Sequence, residues 1–282
     1  MILIIAEKPS LARNIVAGIG KMDRKDGYFI GEGYLVSWAF GHLFSLADVE
    51  HYNPAPEGST GWSLENLPCF PEKFHFELRK GDDKKPDSGV IRQFKVLEEL
   101  CNREDVEAIV NAGDADREGE IIVRLCVNHA LRAPKRQLRL WLPDQTPETV
   151  RAALADMKEE AAYDHLANEG FARTYIDWLY GVNLTRYATL RTGTLLRVGR
   201  VIVPIVKAIY DRDMAIKNFV PDVYYAMVSK EKTKGEAIEL ISKKKFAKDD
   251  KAKAEDMYMP TIWMICIRTM SRTTVTMSTS VW

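Results

Sequence analysis

The densest chemistry in the chain sits in ten residues, NAGDADREGE, where Asp114, Asp116 and Glu118 alternate directly after an apolar run at residues 106–110. Alternate carboxylates leaving the carboxyl end of a strand can converge on one point in the crevice where α/β proteins bind ligands. Carboxylates about 4 Å apart repel by roughly 4 kcal/mol at an effective dielectric near 20, so such a cluster calls for a cation or for water. Hard oxygen donors favour Mg²⁺, which keeps several waters and accepts phosphate oxygens as further ligands. Arg117 alternates outward, and Gly113 and Gly119 let the loop turn tightly. Taken alone, this spacing more often marks an exposed acidic turn capping the next helix, whose first turn favours negative charge. A second pair reverses that balance. Glu7 and Lys8 follow another apolar run, residues 2–6. A glutamate there can serve as general acid or base, and a lysine can stabilise charge on a phosphoryl oxygen. The two strand ends together read as a site for phosphate chemistry.

Positioning them requires a βα frame. Residues 2–6 (ILIIA) form a continuous apolar run, the mark of a strand covered on both faces. Pro9-Ser10 opens a helix carrying Leu11, Ile15 and Ile19 at spacing four. Residues 29–40 read as short strands and turns, and residues 51–89 as a long surface excursion rich in proline and charge. Val90, Ile91, Phe94, Leu97, Leu100 and Cys101 mark an amphipathic helix ahead of the strand at 106–110. Ile121, Ile122, Leu125 and Cys126 mark the helix after the acidic loop. Thr146-Pro147-Glu148 supplies a capping hydroxyl, a proline and an acid, all suited to a helix start. These signals predict an α/β fold: a Rossmann-like, mostly parallel domain over 1–158, a mainly helical region over 159–218, and a β-containing segment over 219–255. From residue 256 the composition shifts, with five of the ten methionines in the final 27 residues and neither helical nor strand period. That stretch is expected to be an aberrant or disordered tail, as a translated frameshift would give.

Charge is balanced, forty basic residues against forty acidic, so any case for nucleic acid must be local. Residues 183–207 hold Arg186, Arg191, Arg197, Arg200 and Lys207 with no acid. This predicts a positive face suited to a phosphate backbone, with Trp178 and Tyr180 placed to stack on bases. A solvated helix face with its aromatics in the core remains an equal reading at this point. The four cysteines, Cys69, Cys101, Cys126 and Cys266, form no CxxC pair. They argue against structural zinc or a secreted disulfide framework. No run approaches the roughly 20 apolar residues of a membrane span, and a soluble, cytoplasmic protein is expected. His42 receives no chemical role.

The segments AEKPSLAR and GDADREGE resemble the Toprim domain of type IA DNA topoisomerases, in the topoisomerase III form. AFGHL at 39–43, WSLENLPCFPEKF from Trp62, RLWLPDQTPETV from Arg139, ARTYIDWLYGVNLTR from Ala172 and RVGRV at 197–201 agree with it, so the resemblance covers roughly residues 1–245. It implies Mg²⁺ as cofactor, held by Glu7, Asp114, Asp116 and Glu118, with Glu7 and Lys8 as catalytic residues flanking the scissile phosphate. It implies single-stranded DNA as partner, bound through Trp178, Arg186, Arg191 and Arg200, with Trp62 and Arg173 as further contacts. One departure stands out. The family pattern VGRVQTP reads VGRVIVP here, with Ile202 and Val203 removing two polar side chains. The family's nucleophilic tyrosine, followed closely by Arg-Thr-Asp, has no counterpart in this sequence. Tyr175, Tyr187 and Tyr210 lack those surroundings. The expectation is the front part of such an enzyme, unable by itself to cut and reseal. Another Toprim enzyme (a primase or an OLD-type nuclease) and a non-catalytic single-strand-binding remnant are the alternatives, and the DWLYGVNLTR segment favours the topoisomerase.

Overall fold

The computed structural model describes residues 1–54, 62–81, 87–220, 223–232, 237–256 and 274–281. The chain divides into two units, Met1–Pro204 and Ile205–Trp282. The first unit carries β1 (Ile2–Ala6), α1 (Pro9–Ile19), β2 (Asp23–Lys25), β3 (Tyr28–Gly31), β4 (Tyr34–Trp38), β5 (Phe44–Leu46) and α2 (Val49–Tyr52). It continues through β6 (Phe76–Leu78), α3 (Ser88–Cys101), β7 (Ala108–Ala112), α4 (Arg117–Ala130), β8 (Arg136–Arg139), α5 (Pro147–Ala155), β9 (Lys158–Glu159) and α6 (Asp164–Thr192). Its main sheet runs β2-β3-β4-β1-β7-β8-β9. β1 lies at the centre, parallel to β4 on one side and to β7 on the other.

The apolar run of β1 fills both faces of that sheet. Leu3 and Ile5 point into a core shared with Leu97, Ile109 and Ile122 from α3, β7 and α4. Ile4 and Ala6 point into the opposite core, with Leu11, Ile15 and Val150 from α1 and α5. Such two-sided burial is what excludes alternation in the sequence of a parallel central strand. Gly18 lets α1 and α5 close up, since a Cβ there would lie 2.4 Å from Val150 Cγ1.

The helical region packs tightly against the sheet domain through α6. α6 packs on α4 so closely that a Cβ at Gly170 would sit 2.6 Å from the Arg117 carbonyl. Further along α6, Asn183 clips the loop at Cys69 from both sides, accepting from its N–H at 2.7 Å and donating to its C=O at 3.0 Å. By packing, the first compact unit runs through Pro204.

The second unit holds most of α7 (Ile202–Lys217), then β10 (Val223–Lys232), β11 (Ala237–Ala247) and β12 (Thr274–Val281). β10 is the middle strand of this antiparallel sheet. Residues 274–281 thus pair as a strand, in contrast to the expectation of a stretch without strand period. The run TVTMSTSV is rich in β-branched residues and sets Val275, Met277 and Val281 in alternation with threonine and serine, both of which favour a strand. The expectation for residues 257–273 lies outside the described residues.

One buried side chain ties the first unit's sheet to its loops. Arg139, at the end of β8, is 1% exposed. Its Nε donates to Glu120 Oε2 at 2.6 Å, and Glu120 is itself fully buried. Nη1 donates to the carbonyls of Asn111 at 3.2 Å, Gly113 at 2.9 Å and Leu140 at 2.8 Å, and Nη2 to that of Asp114 at 2.8 Å. Arg124 closes the far side, bonding Glu120 Oε1 at 2.7 Å and the Glu160 carbonyl at 2.8 Å. Removing one partner of a buried pair strands the other charge. Arg139→Met should lower the free energy of unfolding by about 3–5 kcal/mol. Arg139→Met with Glu120→Leu should recover only part of that loss, because the loop carbonyls stay unpaired; urea titrations of both variants check this.

Candidate active site and basic cleft

Register brings the two sequence motifs together. Ala6 of β1 stands opposite Ala112 of β7, so Glu7-Lys8 and Gly113-Asp114 leave adjacent parallel strands at the same end. Glu7 Oε2 accepts the Asp114 N–H at 3.2 Å, and Lys8 Nζ donates to Asp114 Oδ2 at 2.5 Å. The AFGHL segment, following β4, joins them: Ala39 N–H donates to the Ala6 carbonyl at 2.8 Å and Gly41 N–H to that of Glu7 at 3.0 Å. Gly113 and Gly119 are required by close approach. A Cβ on Gly113 would lie 2.0 Å from the Gly119 oxygen, and one on Gly119 would lie 2.4 Å from the Asp114 nitrogen.

Electrostatics at this junction are tense. Burial pushes the Glu7 carboxyl above the usual carboxylate range; the Asp114 N–H opposes that shift, while the charges of Asp114 and Asp116 add to it. The Asp114 hydrogen bond holds the Lys8 ammonium above its ordinary value. Asp114 Oδ1 is buried and has no hydrogen-bond partner among the described residues. Orphaned buried acceptors are uncommon in folded proteins and point to an ion, a water or a functional role.

The four acids do not form one closed cluster. Asp116 caps α4, accepting the Gly119 N–H at 2.7 Å. Glu118 turns to Arg173, 3.1 Å away, and Arg117 pairs with Glu169. Among the described residues no three such side chains are grouped as a metal cage. Glu7 and Asp114 meet directly, the Asp116 charge acts on Glu7 as well, and Asp116 and Glu118 each take a nearby donor. Repelling carboxylates lower their energy by taking separate partners.

The basic stretch is less positive in space than along the chain. Arg186 is 4% exposed and is held by Asp48 at 2.6 Å and Glu50 at 2.9 Å. It pulls the Glu50 carboxyl below its ordinary range. Arg200 pairs with Asp177, and Arg173 lies 3.7 Å from the same carboxylate. Arg191 is exposed, its guanidinium 5.4 Å from the Tyr187 ring centre. Trp178 donates its indole N–H to the Ala47 carbonyl at 3.1 Å and packs edge-on against Tyr52 and Phe74. Trp62 lies with its ring centre 4.9 Å from the Arg186 guanidinium. Trp62, Arg186, Arg197, Thr185 and Val198 line a cleft of about 590 Å³.

The sequence reading missed Arg139, Glu120 and Asn111 as organisers of the site. Asn111 accepts the Gly113 N–H at 3.0 Å and donates to Glu160 Oε1 at 3.1 Å from inside β7. The available signal was a polar residue in each of two apolar strand ends, IVNA and LRLWL. It also missed Asp48, Glu50 and Asp177 as partners of the basic residues. Nothing in a local window reports these, because two of them come from a segment more than a hundred residues earlier.

A family model described as Toprim domain matches residues 2–142, and one described as DNA topoisomerase matches residues 161–274. "DNA topoisomerase 3" of Bacillus thuringiensis (strain Al Hakam) is 38% identical over 226 residues, which are 80% of this chain and 29% of that protein. Its namesake in Shouchella clausii is 35% identical over 224 residues, 79% of this chain and 29% of that protein. The one in Staphylococcus epidermidis is 34% identical over 225 residues, 80% and 30%. The chain thus spans about three tenths of the length of the curated relatives it matches. In fold it is similar to full-length topoisomerase I from Thermotoga maritima, with a TM-score of 0.53 at 24% identity, covering 90% of this chain and 37% of that one. By these matches the chain belongs to the type IA DNA topoisomerases.

Proposed function

We propose that this chain is the N-terminal part of an enzyme that passes DNA through a transient single-strand break, contributing the Mg²⁺-binding acids and part of the grip on single-stranded DNA. The observation that carries the reading is the pairing of Glu7 with Asp114 around a buried, unpartnered Asp114 Oδ1. That donor set fits Mg²⁺, which uses one or two carboxylates and retains waters for its other positions. Glu7 and Asp114 would hold the ion, with Asp116 and Glu118 as outer acids that must leave Gly119 and Arg173 to join. Bound there, Mg²⁺ supplies charge neutralisation and a template for phosphate oxygens.

The chain's own groups do the rest. Lys8, fixed by Asp114, presents a cation beside the position of a phosphate. Glu7, shifted towards its protonated form by burial, can hold or return a proton at the oxygen leaving phosphorus. Exposed Arg191 and Arg197 serve as backbone contacts. Arg173 and Arg200 are available once their acids release them. None of the eleven tyrosines is followed by Arg-Thr-Asp, so the attacking hydroxyl is not supplied by this stretch of chain. The alternatives, a Toprim nuclease or primase and a non-catalytic strand-binding remnant, share the acids and differ in the nucleophile.

The deciding experiment incubates the chain with labelled single-stranded DNA and Mg²⁺, then quenches in denaturant. Retained DNA binding with no covalent adduct is expected, and an adduct would show that a tyrosine present here attacks DNA. Release of cut fragments without an adduct would favour the nuclease. In calorimetric titrations Asp114→Asn should weaken Mg²⁺ binding at least tenfold, and unchanged affinity would remove the metal assignment. Glu7 also sets a pH dependence. Its raised folded-state pKa means that it favours the fold below the ordinary carboxylate range, and that this contribution is lost as pH rises through the shifted value. In EDTA, Glu7→Gln should therefore melt above wild type at neutral pH and converge with it in acid.

A further inference from the structure

The family resemblance gives Arg186 a part in strand binding, but its two terminal nitrogens are already engaged. Nη1 and Nη2 grip the two oxygens of Glu50 at 2.9 Å each, and Nη2 also reaches Asp48 Oδ1 at 2.6 Å. Two carboxylates around one guanidinium leave a local excess of negative charge, and the Arg186 side chain is only 5% exposed. A phosphate would have to displace both acids and enter a buried position. The guanidinium carbon, by contrast, lies over the Trp62 ring, 4.9 Å from its centre. Trp62 is 38% exposed, and it and Arg186 line the same cleft of about 590 Å³. Arginine stacks on aromatic faces in a way lysine cannot reproduce. A ring held from one side presents a ready surface on the other, which lowers the ordering cost of binding.

We propose that Arg186 is a positioning residue rather than a phosphate ligand: clamped by Asp48 and Glu50, it holds Trp62 as a stacking platform for an unpaired base in the cleft. This rests on the single-strand binding proposed above. Base–aromatic stacking accepts any base, so the platform adds affinity without sequence preference.

The test uses the full chain and fluorescein-labelled oligothymidylate, titrated by anisotropy over a range of salt concentrations. Trp62→Ala should weaken binding about tenfold. Arg186→Lys should weaken it comparably in the wild-type background and not at all in the Trp62→Ala background, because its effect passes through the ring. Arg186→Gln should leave the slope of log affinity against log salt unchanged, whereas loss of a phosphate contact would reduce that slope by about 0.7. A reduced slope, an added loss from Arg186→Lys in the Trp62→Ala background, or unchanged affinity of Trp62→Ala itself would each overturn the proposal. Trp62→Ala alters an exposed ring and does not depend on the fold tolerating a change at Arg186. A wild-type chain that binds no oligonucleotide would instead overturn the underlying reading of strand binding, a result distinct from any of these.

Discussion

The buried pair between Arg139 and Glu120 is the constraint on which the acidic site depends. A guanidinium taken out of water is tolerable only when its donors are matched, and here they are matched by Glu120 and by four backbone carbonyls. Three of those carbonyls belong to Asn111, Gly113 and Asp114, the residues that carry the chain out of β7. The loop is therefore shaped from beneath by β8 and from above by the Gly113–Gly119 contact. Its side chains remain as the adjustable parts. Burial lowers the Arg139 pKa relative to a free guanidinium, with Glu120 opposing that shift, so the charge is kept by its partners and not by solvent.

The same logic recurs along α6 in a looser form. Arg173, Arg186 and Arg200 are each held by a carboxylate from elsewhere in the fold. These pairs differ in burial: Arg186 is enclosed, whereas the Arg200 and Asp177 side chains are 44% and 38% exposed. Exposed pairs contribute little to stability and yield readily to a competing phosphate. Enclosed ones do not, and that division separates residues that can meet a ligand from those that shape what meets it.

Much of the fold was legible because its cause is local. The ILIIA run, the Pro9 helix start and the Thr146 cap each announce themselves, and Thr146 indeed caps α5 through Thr149 N–H. The pairing of Glu7 with Asp114 was legible for a different reason: two strand-end motifs in a parallel α/β pattern must emerge at the same edge. What was not legible is pairing across distance. The 183–207 window contains no acid, yet the fold delivers Asp48, Glu50 and Asp177 to its arginines and to their neighbours. Nor was the close contact of α6 with α4 at Gly170 legible, because that residue looks like any other helical glycine.

The central position of β1 has a consequence for how the protein is made. Its partner β4 follows within about thirty residues, but β7 arrives only after about a hundred. During synthesis at roughly 5–20 residues per second, one hydrogen-bonding edge of β1 waits several seconds for its neighbour. An unpaired, uncharged strand edge is the kind of surface that joins other chains. The interval between the appearance of β4 and that of β7 is thus a stretch of translation in which this edge is open to misassembly.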